Sequence, residues 1–345
     1  MTSNSDRLVR RWLLWSIATI LLVVVVGGAT RLTESGLSIT EWRPVTGVLP
    51  PMSHEGWAAA YTRYLAIPEA QSIHLGITLP EFQMLFWWEW VHRLLARLVG
   101  LVLAVPYFML LAKGHLRPEH RWRLLSLPIL AAAQGVLGWY MVSSGLGARI
   151  NVSPYRLAAH LGMALLIYGI CLWTVLDLGR RDSGGGWSAS ASVRRGFGLA
   201  LVCVVTTMLS GAFVAGLDAG MMYNTFPLMG GKVVPAGYRI PDLGWRNAFE
   251  NPVAAQFNHR VLAIGTAALI LMLALLTRRA SDSRGDRRAA TAAGLAVLLQ
   301  VAVGITTLLL VVPVALGVLH QATGLLVLAT VVVVVHRSRR TATDG

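Results

Sequence analysis

Long apolar runs separated by short polar segments dominate the chain. Runs of spanning length lie near residues 12–28, 90–112, 123–142, 156–176, 197–217, 259–277, 289–311 and 313–335. About 20 apolar residues cross a bilayer, so the pattern predicts eight transmembrane helices. Only Pro313 separates the last two; its ring removes a helical hydrogen bond and clashes with the preceding turn, which predicts a break there. A shorter amphipathic stretch, "HEGWAAAYTRYLA" at 54–66, reads as a helix lying outside the spans, either a lid over a site or a plain interfacial helix.

The polar interruptions inside these runs are few and repeat. "FWWEWVHRLLARLVGLVLAV" (86–105) sets Glu89, His92, Arg93 and Arg97 at the mouth of the second span. "QFNHRVLAIGTAALILML", starting at Gln256, sets His259 and Arg260 at the mouth of the sixth. Ionisable groups at membrane depth are costly unless paired or used, so a costly pattern written twice calls for a reason. The two stretches align as "WEWVHRLLA" (88–96) on "AQFNHRVLA" (255–263). Gln134-x-x-x-Gly138 corresponds to Gln300-x-x-x-Gly304, "HLGMALL" from His160 to "HQATGLL" from His320, and Gly28-Ala29 to Gly211-Ala212. A four-helix unit therefore occurs twice. An even number of helices per unit inserts both copies the same way up, with a pseudo-twofold axis along the membrane normal. The expected fold class is an all-α polytopic membrane protein, with eight transmembrane helices forming two pseudo-twofold-related four-helix bundles. Its units are 1–181 and 193–345, and the Gly/Ser-rich segment 182–192 is a flexible linker between them.

Composition agrees with this reading. Of 345 residues 55% are hydrophobic and 13% are charged, against about 25% charged in soluble domains. The net charge of +14 raises the question of nucleic acid, but its distribution answers it. Segments 1–11, 113–123, 178–195, 278–288 and 336–345 hold 19 of the 30 Lys and Arg residues, and they alternate with the spans as the positive-inside rule requires. The charge is thus a topology signal, not a nucleic-acid footprint. Both termini are expected in the cytoplasm of a bacterium whose inner membrane holds the chain. Cys171 and Cys203 both fall within spans and read as packing residues.

Nine histidines occur. His54, His74, His115, His120 and His336 read as solvated loop residues. His92, His160, His259 and His320 fall one each in the second, fourth, sixth and eighth spans, near the start of each, so all four are expected at one depth near the external, periplasmic face. Imidazole is the commonest metal ligand, and two histidines facing each other across a helix bundle suit the axial positions of a heme iron. One heme-sized site per half follows. Glu89 lies three residues before His92, on the same helix face, with Gln256 in its place in the second half. A Glu89–Arg93 ion pair at the helix mouth is the bland account. The asymmetry favours acid–base chemistry beside the first site only.

The stretch "GGATRLTESGLSITEWRPVTGVLPP" (27–51), the "EWVHR" of the second span and the "NHR" of the sixth resemble the heme A synthase family, over nearly the whole chain. The resemblance implies oxidation of the C8 methyl group of heme O to a formyl group, giving heme A for terminal oxidases. It implies that Glu89, His92 and His160 are catalytic, with the two histidines framing the iron of the substrate heme. His259 and His320 become ligands of a heme b cofactor that relays electrons, and Arg93 and Arg260, with Arg31 and Arg156 near the same face, become cations for heme propionates. Many relatives carry loop cysteines; this chain has none there and resembles the cysteine-free branch. The partners implied are heme O, membrane lipid, a heme O synthase upstream and an electron donor the sequence does not identify; a homo-oligomer is compatible with all of this. Two other readings compete. A di-heme b electron-transfer cytochrome would stack its hemes across the bilayer, whereas here both sites lie on one side. A transporter would want helices broken at mid-membrane, and only Pro106 and Pro128 hint at that.

Overall fold

The computed structural model describes residues 4–147, 149–179 and 189–339. Eight of its helices are long and apolar enough to cross a membrane: α1 (Asn4–Leu32), α4 (Leu79–Ala112), α5 (Pro118–Val142), α6 (Pro154–Leu178), α7 (Ala191–Gly216), α9 (Pro252–Ala280), α10 (Arg284–Leu309) and α11 (Val314–Ser338). The chain is a multi-pass membrane protein. Three short helices lie in the loops: α2 (His54–Leu65), α3 (Pro68–Ser72) and α8 (Asn247–Glu250). Most of the expected linker, residues 182–188, lies outside the described residues, and α7 already begins at Ala191.

Helix contacts sort the spans into two closed rings. In the first, α1 packs on α4, α4 on α5, α5 on α6 and α6 on α1; in the second, α7, α9, α10 and α11 repeat that order. The rings meet where α1 and α6 lie against α7 and α11. One continuous core runs through both, from Leu13 and Leu103 to Phe197, Ile270 and Val331. At the face carrying the long loops, Arg31 at the end of α1 crosses to the second ring and binds Asp218 Oδ1 and the Ala215 carbonyl, each at 2.7 Å. Asn151 donates to the other Asp218 oxygen at 2.9 Å. At the opposite, arginine-rich face Asp177 of α6 accepts from His336 of α11 and pairs with Arg123.

Local chemistry explains the breaks and the exceptions to them. Val311 and Val312 take left-handed backbone (φ 60° and 56°) just before Pro313, which caps α11, so the turn sits where the proline predicts it. Pro106 and Pro128 lie within unbroken α4 and α5, and neither makes a transporter-like discontinuity. Helix α4 starts earlier than hydropathy suggests, because Thr78 and Glu81 form a capping box and Pro80 follows at the first turn. Its added turns carry Phe82 and Phe86, which pack beneath Tyr64 and Trp57 of α2 with ring centres 5.1 and 4.9 Å apart. His92 is therefore not near a helix start but more than three turns below Leu79, at about 3.6 residues per turn. The amphipathic stretch is α2, capped by Ser53, whose hydroxyl accepts from the Gly56 amide. Four histidines expected in solvent are held instead: Tyr64 bonds His74 Nδ1 at 2.5 Å, Ser5 bonds His115 Nδ1 and Arg123 donates to His120 Nδ1, each at 2.9 Å, and His336 is 4% exposed on Asp177.

Candidate heme sites

Each of the four span histidines lies against a glycine of the preceding span. A Cβ placed on Gly27 of α1 would stand 2.7 Å from the His92 ring; the distances are 3.1 Å for Gly138 and His160, 3.2 Å for Gly211 and His259, and 2.7 Å for Gly304 and His320. Helix faces bearing only hydrogen let the imidazoles sit inside the bundles, where a methyl group would displace them. The pairing also corrects the repeat register. Gly27, not Gly28, is the counterpart of Gly211; Gly28 accommodates Gln321 of α11, which donates to the Val24 carbonyl across the junction of the rings.

In the second ring, His259 and His320 face each other with ring centres 6.5 Å apart. Two imidazole–metal bonds of about 2 Å, plus the distance from each nitrogen to its ring centre, span about that gap, so the separation is compatible with both imidazoles holding one metal. Both rings are braced. Ser210 bonds His259 Nδ1 at 2.8 Å, which leaves Nε2 for a ligand. Gln300 Nε2 lies 3.2 Å from His320 Nδ1 and 3.4 Å from its Nε2, and the Gln300 carbonyl accepts from Thr323. Such outer partners fix the tautomer and orientation of a metal-binding imidazole.

In the first ring neither Nδ1 is braced. Gln134 Nε2 donates to the His160 carbonyl at 3.0 Å and lies 3.4 Å from His160 Nε2. Yet His92 Nδ1, His160 Nδ1 and Gln134 Oε1 are buried with no hydrogen-bond partner. By the corrected register Val26 stands where Ser210 stands, and Met163 where Thr323 stands. Buried polar groups are almost always satisfied, so these three atoms could meet a bound group; in the second ring Gln256 Oε1 and Arg260 Nε are likewise without partners.

Glu89 is 2% exposed. Its Oε2 accepts from the Ser38 hydroxyl at 2.8 Å and the Ile39 amide at 2.6 Å, and its Oε1 from Arg93 Nε at 2.9 Å. The Glu89–Arg93 ion pair thus exists, well inside α4 and not at its mouth, with more besides. The Arg93 terminal nitrogens reach the Glu41 and Ile39 carbonyls, and Arg97 reaches those of Pro44 and Arg43. Together they latch residues 38–44 onto α4. The second ring has the same latch in amide form: Gln256 donates to the Gly220 and Tyr223 carbonyls, and Arg260 to those of Tyr223 and Thr225. The arginines assigned to propionates are thus engaged with loop carbonyls. Arg156 stacks on Tyr140 at 3.6 Å, and Arg31 ties the rings together.

A family model described as COX15-CtaA, cytochrome oxidase assembly protein, matches residues 10–332. The chain belongs to the COX15-CtaA family. Among COX15-CtaA relatives, the heme A synthase of Rhizobium meliloti is 44% identical over 95% of this chain and 89% of its own length. The heme A synthase of Chelativorans sp. is 46% identical over 93% and 88%, and that of Caulobacter vibrioides 42% over 99% and 98%. Residues that sequence reasoning missed are Ser38, Ser210 and Thr323, together with the inter-ring pair Arg31–Asp218. Only Ser210 carried a signal, as the polar neighbour of the repeat glycine Gly211.

Proposed function

We propose that this chain is a heme A synthase: an oxidoreductase that converts the C8 methyl group of heme O to a formyl group in its first ring, with a heme b held in its second. The observation that carries the reading is the unequal support of the two histidine pairs, seen in a chain whose full-length relatives bear that name. His259 and His320 are oriented by Ser210 and by Gln300 with Thr323, as suits a group that stays. The Nδ1 atoms of His92 and His160 lack such partners, and Gln134 reaches only His160 Nε2, at 3.4 Å, as suits a substrate that enters and leaves.

His259 and His320 would hold the heme b, which when bound would supply one-electron relay chemistry. His92 and His160 frame the substrate iron, and the notches at Gly27 and Gly138 set where their rings stand. Oxidising a methyl group to a formyl group exchanges C–H bonds for a C=O bond. An oxygen atom from water or dioxygen is added, protons leave the carbon, and the electrons pass to an external acceptor or to the dioxygen itself. Glu89, one turn before His92, is the proton acceptor there. Arg93, Ser38 and the Ile39 amide fix both of its oxygens, and the loop they latch excludes water from that side. Gln256, in the corresponding place, has an amide that cannot take up a proton, which matches a heme that is bound and not consumed. Helix α2 over the extension of α4 is the lid. Both termini lie in the cytoplasm, and the loop face with the heme sites is periplasmic in a bacterial inner membrane.

The test is expression in a bacterial host that makes heme O and no heme A, followed by extraction and mass identification of hemes. Heme A in the cells and heme b in the purified chain are expected. Heme b without any heme A would favour an electron-transfer cytochrome instead. Alkaline phosphatase fused near Ala70 should be active, and fused after Gly345 inactive.

A further inference from the structure

At the arginine-rich face, a cavity of about 510 Å³ opens between the end of α9 and the start of α10, lined by Arg278, Arg284, Arg287, Arg288, Thr291, Ala292 and Leu295. The α10 members recur at intervals of three and four, so they form one stripe along that helix, and Arg278 closes the cavity from α9. The other arginines of this face show what is unusual here. Arg117 pairs with Asp6, Arg123 with Asp177 and Arg337 with Asp286. Among the described residues, none of the four cavity arginines is in an ion pair; Arg287 donates to the Ser281 carbonyl at 3.1 Å. Asp286, the carboxylate on the same turn of α10, is 1% exposed and held by Arg337. Four arginines around one opening make a positive patch that an anion complements.

The chemistry of the lining also says which anion. Below the arginines the stripe turns apolar at Ala292 and Leu295 and continues through exposed Leu298 and Leu299, with exposed Met272, Leu275 and Leu276 of α9 alongside. Charge at the headgroup level above an uncovered apolar surface fits an amphiphile. Guanidinium groups bind phosphate oxygens in bidentate fashion, and four of them match more than one phosphate. We propose that this cavity is a binding site for an anionic phospholipid whose headgroup carries two phosphates, its acyl chains lying along α9 and α10. The site is distant in sequence from every histidine in the heme sites and does not depend on the reaction assigned to them.

The experiment uses the full-length chain purified in a neutral detergent, comparing the native protein with Arg284→Gln/Arg288→Gln and with Arg195→Gln as a control on the same face. Native mass spectrometry after addition of a diphosphatidylglycerol, phosphatidylglycerol or phosphatidylcholine counts bound lipid; thermal unfolding is followed in parallel, with inorganic pyrophosphate as a further arm. The native chain and the Arg195 variant should retain the diphosphatidyl lipid and unfold at higher temperature with it. The double variant should retain at least tenfold less lipid and lose the shift, while its unfolding without lipid shows that it is folded. Equal retention by all three proteins, or equal retention of phosphatidylcholine, would overturn the site. Full stabilisation by pyrophosphate alone would replace the lipid by a free phosphate ligand.

Discussion

At residue scale, the difference between the rings reduces to one carboxylate and a few hydroxyls. Glu89 and Gln256 do the same mechanical work, each holding a loop against the helix that bears its histidine, so a latch alone does not explain why one is acidic. Glu89→Gln separates the two roles. The variant should keep its second-ring heme b spectrum and accumulate heme O, or the alcohol on the way to the aldehyde, as measured by mass of extracted hemes. Gln256→Glu should leave the product unchanged. Normal heme A from Glu89→Gln would reduce Glu89 to the latch. Glu69 behaves differently: it is buried in α3 and bonded by Tyr64 at 3.2 Å. Loss of hydration on burial, reinforced by Glu89 and Glu34, pushes its carboxyl up to about 8 from 4.5. The folded state therefore binds a proton more tightly than the unfolded one. That contribution to stability is complete below pH 4.5 and is lost as pH rises through about 8. Unfolding temperature should fall across that window in the native chain, and less steeply in Glu69→Gln.

At the scale of elements, the histidine sites are made by helix pairs and not by single helices. A glycine on one helix admits an imidazole from the next, so the spacing between two helices decides whether a ring fits. Gly304→Ala places a methyl 2.7 Å from the His320 ring carbon. The variant should lose heme b absorbance at least tenfold while remaining folded. Gly135 of α5, whose added Cβ meets nothing within 4 Å, is the control. Gly135→Ala should retain heme and gain up to about 1 kcal/mol from helix propensity, read as a higher unfolding temperature. Equal heme loss in both variants would mean that the bundles tolerate no added methyl anywhere, and that the notches are not specific.

At the scale of the molecule, two rings that each enclose a site are joined along α1, α6, α7 and α11. On the loop face, Arg31, Asn151 and Asp218 make the polar part of that joint. Asp218→Ala leaves the part-buried Arg31 guanidinium without its anion but still on the Ala215 carbonyl, a loss of about 1.5–3 kcal/mol, as for a hydrogen bond to a charged group. Unfolding temperature should drop while heme content in the folded protein stays the same. A drop in heme b with unchanged stability would show instead that Asp218 acts on a site.

Much of this architecture is determined by local composition. Spans, the turn at Pro313, the twofold recurrence of the four-helix unit and the histidine in every second span are legible because bilayer thickness sets run length and because a polar residue in an apolar run stands out. The resemblance in residues 27–51 and in the "EWVHR" motif pointed to the family for the same reason, as contiguous signal. What the sequence left undecided depends on distance between segments far apart in the chain. Hydropathy placed His92 near a helix start, since it does not register the capping box and aromatic turns that extend α4 upward from the membrane. Repeat alignment matched Gly28 to Gly211, since adjacent glycines look alike until a ring packs against one of them. Ser210, Thr323 and Ser38 are ordinary hydroxyls in the sequence, and Arg31 and Asp218 lie 187 residues apart. Short-range hydrogen bonds and van der Waals contacts have no signature along the chain; packing alone decided which ring is braced, which is open and where the arginines are spent.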